Sequence, residues 1–319
     1  MVEAYGAAVT VSGLTKYYDT LLAVDHISFD IAHGEIFGFL GPNGAGKTST
    51  ISMLMNLVRP SEGSAAILGM DTVRDSLAVK AQVGIVPEVS NIFPELSTFN
   101  NLTFTGALYG MSHRNKTRRA GELIELFALG EHRNRKAMEL SMGLKRRLAI
   151  AMSIMHRPKI IFLDEPTSGL DVASSRGIRD KVREMNGEGV TFFLTTHNMD
   201  EANQLCHRIA VINRGRLIAV DTPEGLKQAA AESQVVEVIF KRELQPAEAE
   251  ELSCLEDCSQ LQAEAGKYRL RTSDPARVLQ GLYPFMDRSG LEPLSINTLG
   301  PSLEDVFLRL TEGGKEPEK

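Results

Sequence analysis

One short stretch constrains the fold of this 319-residue chain more than any other. Residues 41–48 read GPNGAGKT, which fits the pattern G-x-x-x-x-G-K-[ST] of a phosphate-binding loop. The apolar run 35–40 before it is typical of a buried strand, and apolar residues at helical spacing from Thr48 to Leu57 predict a helix after it. A strand, this loop and a helix in that order predict an α/β fold of the P-loop NTPase type.

The residue types of the loop suit a chain of phosphates. Gly41, Gly44 and Gly46 lack a Cβ, so the backbone can curl and turn its N–H groups inward. The following helix adds free N–H groups and the positive end of its dipole. We expect Lys47 to contact the β- and γ-phosphates of a triphosphate and Thr48 to bind Mg²⁺ through its hydroxyl. The predicted nucleotide contacts are Gly41, Pro42, Asn43, Gly44, Ala45, Gly46, Lys47, Thr48 and Ser49.

Composition argues against several classes of protein. The formal net charge of −6 argues against a dominant nucleic-acid-binding role, which usually shows as a basic surface. The spacing of the three cysteines, Cys206, Cys254 and Cys258, does not fit a zinc site. Cys254 and Cys258 could face each other on one helix turn. We expect all three to be free thiols in a reducing cytosol. Because neither a signal peptide nor a membrane-spanning apolar run is present, we expect a soluble chain that reaches a membrane only through a partner.

Short apolar strands alternate with helical patterns over the first two thirds of the chain. Strands are expected within the ranges 9–31, 65–68, 83–87, 159–165 and 190–196, with a hairpin at 208–219. From residue 89 to about 157, apolar residues recur at helical spacing, which predicts a helical insertion in the α/β domain. Its basic run, residues 113–119, is typical of a solvated helix face.

Polar residues that suit catalysis follow two of the predicted strands. Ligands of open α/β sheets bind beyond the carboxyl ends of the strands, where Asp164 and Glu165 stand. Neighbours on a strand point to opposite faces, so we assign Asp164 to the Mg²⁺ site and Glu165 to a hydrogen bond with the attacking water. His197 also ends a strand, and a neutral imidazole there can donate to a γ-phosphate oxygen.

A second candidate anion site lies at residues 140–144, before an amphipathic helix predicted to reach His156. Ser141 is a natural N-cap, and Gly143 permits a close backbone approach. Lys145, Arg146 and Arg147 follow in the predicted first turn, where each cation opposes the helix dipole at a cost of some tenths of a kcal/mol. An anion at this helix end would offset that cost.

The sequence of residues 222–225, TPEG, is typical of a domain boundary. We therefore predict one domain at 1–225 and a small α+β domain, of ferredoxin-like type, at 226–312. Strands are expected at 235–240 and 268–270, and helices at 243–251, 275–283 and 302–310. Ser302 with Asp305 resembles a capping box, and residues 313–319 should form a disordered tail.

The order of these motifs resembles the ATP-binding subunits of ABC transporters over roughly residues 5–225. Residues 41–48 match the family's Walker A motif, 140–143 occupy the position of its signature, 160–165 match Walker B with its glutamate, 168–171 match the D-loop, and His197 matches the switch histidine. The resemblance implies that Tyr18 stacks on the adenine base and that Ser141, Gly143 and Asp171 contribute to nucleotide binding. Residues 301–307, PSLEDVF, are similar to the end of subunits that serve ABC-2-type exporters, including drug and sodium efflux systems.

Two motifs depart from the family pattern. Glu88 stands where the family usually has a glutamine; it can also bind Mg²⁺, but it adds negative charge beside an anionic site. In the signature, Met142 replaces the first glycine and Leu144 the glutamine, while Ser141 and Gly143 remain. We expect an active enzyme, although these substitutions are compatible with weakened or asymmetric activity.

The resemblance also implies partners. One subunit's signature covers the ATP held by another subunit's Walker A, so we expect a homodimer or heterodimer with two sandwiched ATPs. The dimer would drive an integral membrane permease from the cytoplasmic face of the cell membrane, without nucleic acid. One alternative is a soluble ABC-type ATPase acting on ribosomes or DNA, but the second nucleotide domain or long coiled coil of those proteins is absent. Another is a nucleotide-gated regulatory module, which Glu88 and Met142 leave open and Glu165 and His197 argue against.

Overall fold

A computed structural model of the chain describes residues 6–89, 91–229, 234–264, 266–300 and 302–312. The chain divides into two compact units, residues 1–222 and 223–319. The predicted tail at 313–319 and Pro301 of the C-terminal motif lie outside the described residues. Across the described ranges, no helix combines the length and the apolar character needed to cross a membrane.

The first unit contains two sheets and a set of helices. Its strands are β1 (Val9–Tyr18), β2 (Leu21–Ile31), β3 (Ile36–Leu40), β4 (Glu62–Ile67), β5 (Met70–Asp71), β6 (Val83–Val86), β7 (Ile160–Asp164), β8 (Thr191–Thr196), β9 (Arg208–Asn213) and β10 (Arg216–Asp221). Its helices are α1 (Lys47–Leu54), α2 (Ser76–Gln82), α3 (Thr98–Leu108), α4 (His113–Leu126), α5 (Met142–Ser153), α6 (Val172–Gly187) and α7 (Met199–Leu205).

The larger sheet has the strand order β10-β9-β3-β8-β7-β6 and is parallel except for the β9–β10 hairpin. The smaller sheet is antiparallel, with the order β2-β1-β4-β5. Strands of a parallel sheet are covered on both faces, which explains why β3, β7 and β8 are buried throughout and rich in apolar residues. The predicted mixed-sheet core with a helical subdomain is confirmed.

Aromatic side chains join the two sheets. Phe29 of β2 stacks on Phe37 of β3 with ring centroids 5.4 Å apart, and Phe193 of β8 lies 5.3 Å from Phe39 and 5.2 Å from Phe162. These distances are typical of favourable aromatic contacts in a core. The cluster packs the central strands of the larger sheet against β2. Because β3, β8, β7 and β6 pair in parallel, their carboxyl ends meet at one edge of that sheet.

Helices α3, α4 and α5 of the helical insertion each begin after a serine N-cap, a residue whose hydroxyl can accept from a free backbone N–H of the first turn. Ser97, Ser112 and Ser141 each accept a hydrogen bond from a backbone N–H in the first turn of α3, α4 and α5. The sequence-based prediction placed Arg146 and Arg147 in the first turn of α5. The helix begins at Met142, so both residues lie in its second turn. Their opposition to the helix dipole is correspondingly weaker, because the effect fades after one turn.

The second unit contains α8 (Pro223–Ala229), β11 (Gln234–Phe240), α9 (Pro246–Ser253), β12 (Gln260–Glu264), β13 (Lys267–Thr272), α10 (Pro275–Ser289), β14 (Pro293–Leu299) and α11 (Leu303–Glu312). From β11 to β14 the element order is βαββαβ, and the antiparallel sheet has the order β12-β13-β11-β14. This is the ferredoxin-like order that the sequence favoured. Helix α11 begins with a capping box, because Asp305 N donates to Ser302 Oγ at 3.1 Å and Ser302 N donates to Asp305 Oδ2 at 3.0 Å.

Two features of the second unit differ from the sequence-based expectations. Strands β12 and β14 were not predicted, because most of their side chains are exposed or half-buried and so lack a clear apolar alternation. Cys254 caps the end of α9 and Cys258 lies beyond it, so the two do not share a helix turn. The thiols of Cys206, Cys254 and Cys258 are free in the structure.

Candidate nucleotide-binding site

A cleft of about 440 Å³ opens at the edge where the parallel strands end. Residues from the ends of β1, β3, β6, β7 and β8 line it, joined by the start of α1. The lining residues are Tyr18, Leu21, Ala23, Pro42, Asn43, Gly44, Gly46, Lys47, Thr48, Ser49, Glu88, Asp164, Glu165, Ser168 and His197. Most of the residues predicted from the sequence therefore meet in one cleft, although they are spread over 180 positions of the chain.

The loop after β3 requires glycine at two positions. A Cβ on Gly41 would lie 2.5 Å from the carbonyl oxygen of Ile212, and a Cβ on Gly46 would lie 2.6 Å from that of Ala23. Gly46 also has φ of +107°, a conformation that side chains disfavour, and it directly precedes α1. Gly41 and Ala45 do not line the cleft; both are buried and shape the loop from behind.

Lys47 is the cation of the loop, and its side chain is only 7% exposed. Its Nζ donates to the carbonyl oxygen of Gly41 at 2.7 Å and lies 3.5 Å from Glu165 Oε1. A buried ammonium is tolerated only when it is paired and hydrogen-bonded, and both conditions are met here. The ammonium is thus fixed at the mouth of the loop.

Asp164 ends β7 and is held by its neighbouring strand. Thr195 of β8 donates its hydroxyl to Asp164 Oδ1, and the same hydroxyl oxygen accepts a hydrogen bond from Glu165 N at 3.2 Å. Both carboxylates are more than nine-tenths buried. One threonine hydroxyl therefore fixes the side chain of Asp164 and the backbone of Glu165.

Glu165 lies in a strained backbone conformation, with φ of +47°. Such a conformation costs a non-glycine residue about 1–3 kcal/mol. It turns the side chain out of the alternation of the strand, so that both neighbouring carboxylates line the same cleft. Glu165 Oε2 lies 2.9 Å from His197 Nδ1 and accepts a hydrogen bond from His197 N at 3.4 Å. Among the described residues, Oε1 has no hydrogen-bond donor, although Lys47 is close.

Tyr18 and Glu88 stand at the rim of the cleft. Tyr18 ends β1 with an exposed ring, and Lys16 Nζ lies 5.1 Å from the ring centroid. Glu88 is exposed in the loop after β6. Oxygen atoms of Thr48, Glu88 and Asp164 thus line one cleft, and oxygen ligands are those that Mg²⁺ prefers. The part of the chain that the structure describes holds no cluster of three or more His, Cys, Asp or Glu side chains suited to a metal.

Besides Gly41 and Ala45, three predicted nucleotide contacts do not line the cleft. Ser141 caps α5 and is exposed, accepting from Leu144 N at 3.4 Å. Asp171 caps α6, where it accepts from Ser174 N at 2.8 Å and from Ser174 Oγ at 2.7 Å. A Cβ on Gly143 would lie 2.6 Å from that Oγ, so this glycine permits α5 to approach α6. Within one chain these residues have structural roles.

Two buried charges near the site were not predicted to belong to it. Arg146 of α5 donates to backbone carbonyls around Glu165, and burial lowers the pKa of its guanidinium. Burial raises the pKa of Glu201 in α7, where hydrogen bonding from the Thr196 and Thr167 hydroxyls opposes the shift. The sequence did carry a signal for Arg146, because it lies in a run of three cations near the start of a helix, where positive charge is unfavourable. Glu201 gave none, because an acid in the first turn of a helix is ordinary.

Comparisons with known proteins agree with this geometry. The family model described as "ABC transporter" matches residues 24–168. The daunorubicin/doxorubicin resistance ATP-binding protein DrrA of Streptomyces peucetius is 39% identical over 95% of this chain and 92% of its own. The Nod factor export ATP-binding protein I of Paraburkholderia xenovorans is 35% identical over 96% of this chain and 97% of its own.

Solved structures of ATP-binding cassettes are also similar to this chain. The ATP-binding cassette MJ0796, in a dimeric post-hydrolysis state with ADP and Pi, is 26% identical to this chain. The alignment covers 67% of this chain and 98% of the cassette, with a TM-score of 0.62. The cleft, the motifs around it and the full-length relatives agree: this chain belongs to the ABC transporter family, as an ATP-binding subunit that hydrolyses ATP.

Proposed function

We propose that this chain energises the export of a substrate through a separate integral membrane permease, at the cytoplasmic face of the cell membrane. The observation that carries the proposal is the convergence of Lys47, Asp164, Glu165 and His197 in one cleft. Relatives named for drug resistance and for Nod factor export, which match along nearly the whole chain, support export as the process that is driven.

The loop between β3 and α1 binds the triphosphate of ATP in this proposal. Its backbone N–H groups and the N-terminus of α1 face the phosphate oxygens, and Lys47 neutralises charge that develops on them. Tyr18, at the rim, stacks on the adenine base. Thr48, Asp164 and Glu88 hold Mg²⁺, which when bound neutralises charge on the β- and γ-phosphates.

Glu165 orients the attacking water and takes its proton. Its Oε1 is buried and lacks a hydrogen-bond donor among the described residues, so we assign it to a water bound in the cleft, while Oε2 is held by His197. His197 orients the carboxylate through its backbone N–H, which donates to Oε2 at 3.4 Å, and its neutral imidazole donates its one N–H to the γ-phosphate. The low exposure of Glu165 strengthens both interactions, because little water competes for the carboxylate.

A second subunit completes the site. Ser141 is exposed and lies outside the cleft of its own chain, so its contact with nucleotide requires the cleft of another copy or of a homologue. The dimeric state of the similar cassette supports this arrangement. We therefore propose that two ATP molecules are sandwiched between two subunits, each bound by Lys47 of one and Ser141 of the other.

The dimer is tested in the variant Glu165→Gln, which is expected to bind ATP without consuming it. On a sizing column with ATP and Mg²⁺ this variant should elute as a dimer, and adding Ser141→Arg should keep it monomeric while ATP still binds. Ser112→Arg is the matched control, because Ser112 caps α4 as Ser141 caps α5. A Ser141→Arg variant that dimerises as well as its control would contradict the shared site.

A further inference from the structure

Arg146 is a buried cation that the family resemblance does not explain. It lies in the second turn of α5 and is only 5% exposed. Its hydrogen-bond acceptors are backbone carbonyl oxygens from two loops, neither of which belongs to its own helix. A guanidinium is costly to bury, so this arrangement calls for a reason beyond the packing of α5.

The acceptors flank the catalytic glutamate. Arg146 donates from Nη2 to the carbonyl oxygen of Asp164 and from Nε to that of Pro166 at 2.9 Å. These are the residues immediately before and after Glu165. Glu165 has the strained φ of +47°, and its own N–H donates to the carbonyl oxygen of Thr195 at 3.0 Å. One guanidinium thus holds the backbone on both sides of the strained residue.

The third guanidinium nitrogen of Arg146, Nη1, bonds to the loop after β6. Nη1 donates to the carbonyl oxygens of Pro87 and of Glu88, the latter at 3.3 Å. Glu88 lines the cleft after β6, the strand that pairs with β7. Arg146 therefore connects α5, the loop after β6 and the turn that presents Glu165.

We infer that Arg146 is a positioning residue for hydrolysis, which holds the turn at Glu165 in its strained conformation and ties it to the loop of Glu88. The inference rests on the proposed role of Glu165. A planar guanidinium has five N–H donors in a fixed fork, which matches carbonyls approaching from several directions. A lysine ammonium has three donors at a single point and cannot reach all four carbonyls.

The experiment compares Arg146→Lys and Arg146→Gln with Arg147→Lys in the full chain. Arg147 is the next residue of α5 and lies against Gly177, away from the cleft. For each variant, ATP affinity, the single-turnover hydrolysis rate and the thermal unfolding midpoint are measured. Both Arg146 variants should hydrolyse ATP about 10²-fold more slowly with affinity unchanged within about threefold, because a small displacement of a reacting group costs that much. Arg147→Lys should behave as the native chain.

A double-mutant cycle separates positioning from general damage. If Arg146 acts through Glu165, Arg146→Lys should change the residual rate of Glu165→Gln by no more than about twofold. An undiminished loss in that background, or a native rate for Arg146→Lys and Arg146→Gln, would overturn the inference. Unfolding of both Arg146 variants would also overturn it, by assigning the residue to the fold alone. A native rate for Glu165→Gln by itself would instead refute the proposed role of Glu165.

Discussion

Glu201 of α7 is a buried carboxylate that the catalytic proposal does not use. Its residue is 1% exposed, and within the described part of the chain no donor reaches its Oε1. Asn198 N donates to Thr196 Oγ1 at 2.9 Å, and Glu201 N donates to Asn198 Oδ1 at 3.0 Å. The residues on both sides of His197 are thus bonded to each other and to the start of α7.

Burial raises the pKa of Glu201 above 4.5, since the charged form is poorly solvated. The unfolded chain gives up this proton more readily than the folded chain. The contribution of Glu201 to stability is therefore greatest below pH 4.5 and is lost as the pH rises through the higher pKa of the folded state. The charged groups that influence Glu201 electrostatically are Glu165, Arg179 and Arg146, and its charge acts in turn on the Cys206 thiol.

We expect Glu201→Gln to remove this titration. Relative to the native chain, the free energy of unfolding of this variant should rise as the pH goes from 4 to 8. Over that interval the native chain loses the stability that protonated Glu201 contributes, and the variant has no such contribution to lose. Urea unfolding at a series of pH values measures the difference. Glu188→Gln, the same substitution at an exposed position after α6, is the matched control. A Glu201→Gln difference that is independent of pH would contradict the assignment of a raised pKa.

At the scale of the element, the position of β6 depends on one glycine. Gly84 lies in β6, and a Cβ added to it would lie 2.5 Å from the backbone carbonyl oxygen of Ser153, at the end of α5. A backbone atom cannot move aside as a side chain can. Helix α5 therefore packs directly on β6, the strand that leads to Glu88.

Gly84→Ala should lower the free energy of unfolding by about 1–3 kcal/mol, because it forces β6 and α5 apart. The matched control is Gly121→Ala in α4, where an added Cβ would meet no atom within 4 Å. That change should raise the free energy of unfolding by about 0.5–1 kcal/mol, since alanine favours a helix over glycine. Urea titration measures both. Equal effects of the two substitutions would argue against the tight contact.

The sequence was most informative where elements are buried or end in a motif. The apolar runs at 35–40 and 159–165 predicted β3 and β7 to within one residue at each end, and the loop at 41–48 predicted where the cleft lies. Strands β12 and β14 were missed, because a half-exposed sheet leaves little apolar alternation. Arg146 could not be placed, because its acceptors are backbone carbonyls, which every residue has. Asp171 and Gly143 were assigned to nucleotide by resemblance, and within one chain they cap and pack helices.

At the scale of the whole molecule, the cleft draws on most of the first unit. Its lining runs from Tyr18 at the end of β1 to His197 after β8, and the larger sheet brings these ends together. The second unit has its own sheet and core, from β11 to β14. The residues that line the cleft therefore all lie in the first unit.

The most direct test is ATP turnover by the native chain beside Glu165→Gln, with Mg²⁺ present and ATP affinity measured in both. The native chain should hydrolyse ATP. The variant should bind ATP within about threefold of the native affinity and turn it over at least about 10²-fold more slowly, because only the group that accepts the water's proton is lost. Turnover by Glu165→Gln near the native rate would contradict the central claim that Glu165 activates the water.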